Sequence, residues 1–403
     1  HGVSLPGSAK TLINFENDLG GGYTKILGYR KANTNAVPTT SSGKVACSVV
    51  VHPTGIVSAR GNRYYYSEAG SSWTEIATLT QPIPHRARFA RYNFGLGEKI
   101  IFVDGANLPR VFDVQTKTME VASTHVDLTG SSFVCAFADR LFYAKGAILN
   151  YSNLFSHGGF DPALGAGSLS FKSDITGLIV FRDKLIIFQE DGIDQLSGST
   201  EADFQINPIT RKTGCLWPDS IQEVGGDILY KGPDGIRFLS ATEKVDDFAL
   251  SRASEQIQAE ISSGFVSPED AVSLVIRGKS QYRIFYFSEA LPLNQEGFSC
   301  TRMLDQTASG TAWSLLKGFK VFCADSVSSG GEETILFSDG ESFVYQMEWG
   351  NSFDDNPIYC EFQTPFWVFE DPSIRKTFYK HKAYIKLEGE FFLETQLLLN
   401  FNG

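Results

Sequence analysis

Apolar, branched and aromatic residues recur along this chain in short runs that each end in a glycine-containing turn, and six of these phrases align with one another. They are Ile56–Asn62, Ile100–Gly105, Leu141–Gly146, Leu185–Gly192, Ile228–Gly235 and Ile335–Gly340. Their first residues advance by 44, 41, 44 and 43 positions before a gap of 107. Near the middle of that gap lies Tyr282–Phe287, a run with no Asp-Gly pair, which we count as a seventh, degenerate copy. A period of roughly 40–45 residues with several short strands per repeat is what a β-propeller blade requires. The pattern predicts an all-β chain, a β-propeller of six or seven blades. Gly61, Asp104, Gly105, Gly146, Asp191, Gly192, Asp234, Gly235, Asp339 and Gly340 are read as its hairpin turns. Asp and Gly tolerate the positive φ needed at the centre of a two-residue hairpin.

Outside the repeats the rhythm changes. Residues 1–44 read as an N-terminal arm with a turn at 17–23 and a Ser/Thr/Pro/Asn linker ending at Ser42. Residues 45–350 carry the propeller, and residues 351–403 hold strand-like runs at 358–369, 380–387 and 390–401. A closed ring brings its ends together, so arm and tail are expected to pack on each other as a small β platform domain. One helix is predicted over Ser251–Ser263, where Ala253, Ile257 and Ile261 recur at helical spacing. The Gln-, Ser- and Gly-rich stretch Glu289–Gly310 reads as an insertion in the sixth unit, and long loops in compact domains tend to be functional or disordered.

Composition narrows the field. With 42% hydrophobic residues and 32 Phe, the 403-residue chain can bury a large core suited to strands. The formal net charge of −11, with no Lys/Arg block, argues against a protein that grips nucleic-acid phosphates. Cys47, Cys135, Cys215, Cys300, Cys323 and Cys360 are scattered singly, with neither CxxC pairs nor the density of a disulfide scaffold. They read as buried thiols of a protein made in a reducing cytosol. No run of eighteen apolar residues and no signal-peptide pattern occurs, so a soluble chain is expected. The start at His1 rather than Met fits a processed product or a segment of a longer protein.

The motifs that could carry chemistry fall short one by one. Tyr66–Trp73 resembles the Asp-box hairpin of sialidase-type propellers, with Glu68 in place of Asp, yet such boxes are structural and no acid–nucleophile pair can be assigned. For a propeller glycosidase the carboxylates to test are Asp104, Glu190 and Asp191. The six histidines show no HxH or HExxH spacing, and Asp127, Asp161, Asp174 and Asp183 lack a calcium-loop pattern, so no metal is expected. Ser42-Gly43-Lys44 lacks the Walker glycine, with Pro38 there instead, and has Val45 after the lysine. The most basic stretch, His85–Tyr92, alternates in a way that places Arg86 and Arg88 on a solvated strand face. No catalytic residue, cofactor or metal ligand is assigned.

Three segments resemble one family. Asn14–Tyr23, continuing to Leu27-Gly28-Tyr29-Arg30, is similar to the opening arm of tail nozzle (tail hub) proteins of short-tailed bacteriophages. Ala138-Asp139-Arg140-Leu141-Phe142-Tyr143 looks like their repeated blade strand. Lys212–Ser220 followed by Gly226–Leu239 is similar to a further stretch of that family, and the likeness spans about 250 residues. The resemblance implies a β-propeller and a non-enzymatic virion protein, made in the host cytoplasm and placed in the phage tail. It implies a homo-hexameric ring below the portal and adaptor that attaches tail fibres or a needle and touches the host envelope. Double-stranded DNA would pass through its lumen without specific binding, and an acidic wall would repel the duplex rather than hold it. Ring interfaces are expected in the arm (Tyr23, Tyr29, Arg30), in the insertion (Gln295, Gln306) and in the C-terminal strands (Phe366, Trp367), with the stretch 154–167 a candidate gate. The alternatives are a receptor-binding propeller module for a glycan or protein, and less readily a propeller glycosidase.

Overall fold

The computed structural model describes residues 9–17, 22–39, 43–51, 55–68, 70–240, 271–286, 296–302 and 311–365, with isolated residues in 253–267 and 377–396. Seven radial sheets form a β-propeller. Blades one to four are four-stranded meanders whose first strands are Val45–Val51, Arg88–Tyr92, Phe133–Phe137 and Ile175–Phe181. Blade five has three described strands, Gln222–Val224, Asp227–Gly232 and Gly235–Phe238. Blades six and seven start at Ala271–Ile276 and Cys323–Ser329 and grow to six strands each by recruiting the two chain ends.

All seven sequence repeats coincide with the second strand of a blade: Gly55–Arg60, Lys99–Val103, Arg140–Lys145, Lys184–Gln189, Asp227–Gly232, Gln281–Tyr286 and Glu332–Ser338. The degenerate run is therefore blade six. These strands read as nearly unbroken apolar runs because both of their faces are covered by neighbouring blades, and successive side chains point to opposite faces. In blade two, Ile100 and Phe102 pack towards blade one, while Ile101 and Val103 pack towards blade three. Leu185 and Ile187 face blade three, and Ile186 and Phe188 face blade five. Repeated around the ring, this alternation makes seven apolar clusters, one per pair of adjacent blades. The cluster between blades seven and one joins Leu336 and Val344 to Val45, Val50 and Ile56, and so closes the circle.

Nine of the ten predicted turn residues lie between the second and third strands of their blades, and Gly235 opens the third strand of blade five. Gly61 and Gly146 open two-residue hairpins at positive φ, as expected, whereas none of the Asp-Gly pairs fills the two central positions of such a hairpin. Asp104 and Asp339 instead act through their carboxylates. Asp104 Oδ1 accepts from the amides of Ala106 and Asn107 at 2.9 and 2.7 Å. Asp339 Oδ1 accepts from those of Glu341 and Ser342 at 2.8 and 3.1 Å, which is the Asx-turn chemistry of a short acidic side chain. In blade five the turn centres on Pro233 and Asp234, because Gly232 pairs directly with Gly235. Two-residue hairpins with both central φ positive occur one connection earlier, at Ala138-Asp139, Arg182-Asp183, Gly225-Gly226 and Gly330-Gly331.

Two further expectations are corrected. Glu296–Arg302, inside the presumed insertion, is the third strand of blade six, with Phe298 and Cys300 alternating into the core. The polar composition of the flanking residues hides that alternation. The arm and tail do pair with each other, as expected, but as added strands of a propeller sheet: Thr11–Ile13 lies parallel to the fourth strand of blade six and antiparallel to Glu361–Gln363. Tyr29–Lys31 pairs antiparallel with Val344–Met347 of blade seven, in the register Met347 to Tyr29. Most of the predicted helix, and most of the later tail runs, lie outside the described residues, and residues 391–396 form no strand.

Candidate functional site

The first strands of all seven blades surround a cavity of ≈ 360 Å³ on the propeller axis. Three arginines from the basic stretch line it. Arg86 and Arg88 do not lie on a solvated outer face, as the alternation had suggested: Arg86 is only 4% exposed. First strands form the inner wall of a propeller, so their polar face looks onto the axis rather than outwards. Arg86 Nη1 and Arg88 Nη2 each lie 3.0 Å from Asp219 Oδ2, and Arg88 Nε lies 2.7 Å from Asp219 Oδ1. Asp219 sits in the 3-10 turn Pro218–Ser220 that leads into blade five, so the cluster spans the channel. Arg86 also donates from Nη1 to the Ala271 carbonyl at 2.9 Å and from Nε to the Phe322 carbonyl. One side chain thus joins blades two, five, six and the entry to blade seven. On the strand that follows Arg86, Arg91 Nη1 lies 3.2 Å from Asp325 Oδ1 of blade seven, and Asp325 Oδ2 accepts from the Val50 amide of blade one at 2.8 Å.

Electrostatics follow from this arrangement. Burial alone would raise the Asp219 carboxyl, but the Arg88 and Arg86 guanidiniums outweigh it and hold it down at about 2. Burial pushes the thiols of Cys135 and Cys215 up to about 12, so neither is a thiolate nucleophile at neutral pH. The glycosidase candidates are dispersed. Asp104 is spent on its own turn in blade two, whereas Glu190 and Asp191 lie on a turn of blade four, with Asp191 Oδ2 2.8 Å from Lys172 Nζ. The Asp-box-like segment is a turn: Ser67 Oγ donates to the Ser71 carbonyl at 2.8 Å, and Trp73 Nε1 to that of Asn35 at 2.9 Å. No group of three or more metal-ligating side chains occurs among the described residues.

The expected interface residues divide. Tyr29 packs within its own chain, stacked on Phe353 at 4.9 Å between centroids and flanked by Phe319, Phe337 and Tyr345. Its hydroxyl donates to the Gly318 carbonyl at 3.1 Å, and burial, aided by Asp354 and Asp339, pushes it up to about 12. Tyr23 lies 5.3 Å from the ring of Phe362 in the tail strand, and the exposed Arg30 guanidinium stacks 3.4 Å above Trp349. Around them Trp349, Tyr359 and Phe362 are about half exposed, which leaves an aromatic surface at the arm–tail junction. Gln295, Gln306, Phe366 and Trp367 lie outside the described residues. In the stretch proposed as a gate, Leu154, Phe155 and Leu164 are exposed.

The sequence reading missed Asp219, Asp325 and the quartet Glu16, Lys279, Arg283 and Glu348, built around the fully buried Arg283. One signal was present: Arg283 is a charge embedded between Tyr282 and Ile284 in a core strand, and a buried charge demands a partner.

Fold and axial site define a seven-bladed β-propeller whose channel is crossed by arginine–aspartate pairs. No family model matches the chain, and no curated protein does. Among solved structures it is similar to the AfRom2 CNH domain, at 12% identity and a TM-score of 0.44 over 78% of this chain and 98% of that one. It is also similar to the computationally designed Ika8 protein, at 9% identity and a TM-score of 0.41 over 79% and 100%. An extracellular domain from a B. thetaiotaomicron two component system matches at 12% identity and a TM-score of 0.40, over 85% of this chain and 39% of that one.

Proposed function

We propose that the chain is a structural subunit of a short-tailed phage tail, a nozzle protein that assembles as a ring below a portal and adaptor. The carrying observation is the use of the family-like arm. Phe15–Asn17 and Tyr23–Lys25 of the arm pair with each other, and Tyr29–Lys31 inserts between Val344–Met347 and Ser352–Phe353 of blade seven. There they meet the tail strand and the half-exposed Trp349, Tyr359 and Phe362, a surface suited to burial against another copy. The other two family-like segments also have structural tasks. Ala138-Asp139 forms a tight turn, and Arg140 Nη2 reaches Glu201 Oε2 at 2.7 Å across to blade four. The segment 212–220 delivers Asp219 to the axis.

In this reading DNA travels through a lumen between copies, since the propeller's own channel is a cavity of ≈ 360 Å³ crossed by ion pairs and cannot pass a duplex. The role is non-catalytic. To test it, the purified chain is mixed with a portal–adaptor complex and imaged in negative stain. Six-fold density added below the adaptor supports the reading. A chain that stays unbound and instead binds glycans on an array moves the assignment to a receptor-binding module.

A further inference from the structure

The axial cavity holds an unbalanced charge. Its lining includes four guanidinium groups, from Arg86, Arg88, Arg91 and Arg277, against two carboxylates, from Asp219 and Asp325. The wall therefore carries two positive charges in excess, or one once Glu333 at the mouth is counted, inside a chain whose net charge is −11. Glu333, at the mouth 3.8 Å from Arg277 Nη1, is engaged by the backbone amides of Arg277 and Gly278 at 2.8 and 3.1 Å.

Hydrogen bonding is incomplete in the same place. Arg86 Nη2 is buried and has no hydrogen-bond partner among the described residues, while Nη1 and Nε of the same group are engaged. A buried charged donor without an acceptor is costly, and an anion in the cavity relieves that cost. Entry is available at one end, where the Arg277 side chain is 58% exposed, and Arg88 and Arg91 are each 25% exposed. Guanidinium forks match the paired oxygens of a tetrahedral oxyanion.

We propose that the axial channel binds a small oxyanion of the phosphate class beside Arg86, Arg88 and Arg91, with Arg277 at its mouth. The site belongs to one chain and does not depend on ring assembly. It is tested by calorimetric titration of inorganic phosphate into the full chain at low ionic strength, with chloride matched in a control titration. One saturable site per chain is expected.

Arg277→Gln, at the exposed mouth, is expected to weaken binding roughly fivefold without changing the melting temperature. Arg86→Lys, which keeps the charge and loses Nη2, is expected to weaken it by about tenfold or more. If Arg86→Lys fails to fold, the Arg277→Gln titration decides alone. Heat no greater than that of chloride, or Arg277→Gln binding as tightly as the unaltered chain, overturns the proposal. Glycerol phosphate distinguishes the source: tighter binding than phosphate assigns a phosphate ester, weaker binding assigns the free ion, and both uphold the site.

Discussion

Arg283 Nη2 lies 3.2 Å from Glu16 Oε2, joining the N-terminal arm to the middle of blade six at a side chain with no solvent exposure. The pair belongs to a balanced quartet. Arg283 Nη1 is 2.8 Å from Glu348 Oε1, and Lys279 Nζ lies 2.5 Å from both Glu16 Oε1 and Glu348 Oε2. A buried arginine stripped of a partner is far less stable than one replaced together with it. Glu16→Ala is expected to cost about 3 kcal/mol in urea unfolding. The double variant Glu16→Leu with Arg283→Met is expected to recover most of that loss, because Lys279 still serves Glu348. A Glu16→Ala cost below about 1 kcal/mol would show that the arm is not locked by this pair.

Acid sensitivity follows from Asp219. Its carboxyl titrates at about 2 in the folded chain, below the ordinary 3.8. Stability from this group is therefore full above the unfolded value and is lost as pH falls from about 4 towards 2. The contribution is about 2 kcal/mol, from the 1.36 kcal/mol that accompanies each pH unit. Unfolding measured across that window should fall off steeply in the unaltered chain. The slope should be shallower in Asp219→Asn, whose stability at neutral pH is already reduced by unpaired Arg86 and Arg88.

Lys231 carries the opposite sign. Burial brings its ammonium down to about 8, with Nζ 4.0 Å from the centre of the Trp217 ring. The unfolded chain thus binds an extra proton between about pH 8 and the ordinary 10.5, and the group costs stability below that window. Lys231→Met is expected to stabilise the protein by about 1–3 kcal/mol at pH 7. The gain should shrink as pH rises to 10, a difference measurement in which the common thiol and phenol titrations cancel. A destabilised Lys231→Met at pH 7 contradicts this account.

Tyr29 separates packing from assembly. Tyr29→Ala removes a ring stacked among four aromatic neighbours and should cost about 3–5 kcal/mol in chemical unfolding. Tyr29→Phe, which loses only the bond to the Gly318 carbonyl, should cost about 1 kcal/mol. Equal, small losses in both would show that the arm strand is not part of the folded blade.

What the sequence revealed and concealed has a common cause. Second strands are legible because both faces are buried: runs such as Ile100-Ile101-Phe102-Val103 stand out at a constant period. First strands line the axis and mix polar with apolar residues, so Arg86, Arg88 and Arg91 resemble a solvated surface until the ring is closed. Their partners Asp219 and Asp325 lie 131 and 234 positions away, a separation no local pattern can bridge. In blades two and seven the Asp-Gly pairs marked the correct connections through a different mechanism, because an Asx turn and a two-residue hairpin select the same residues. In blade six, the alternation of Phe298 and Cys300 spans too few residues to compete with the Gln- and Ser-rich sequence around it.

The most direct test of the proposed role is the mass of the full chain in solution by light scattering, alone and with a portal–adaptor complex. A species of six times the 44.4 kDa chain mass, formed alone or on the complex, is the expected result. A stable 44.4 kDa monomer that ignores the complex at every concentration contradicts the nozzle assignment.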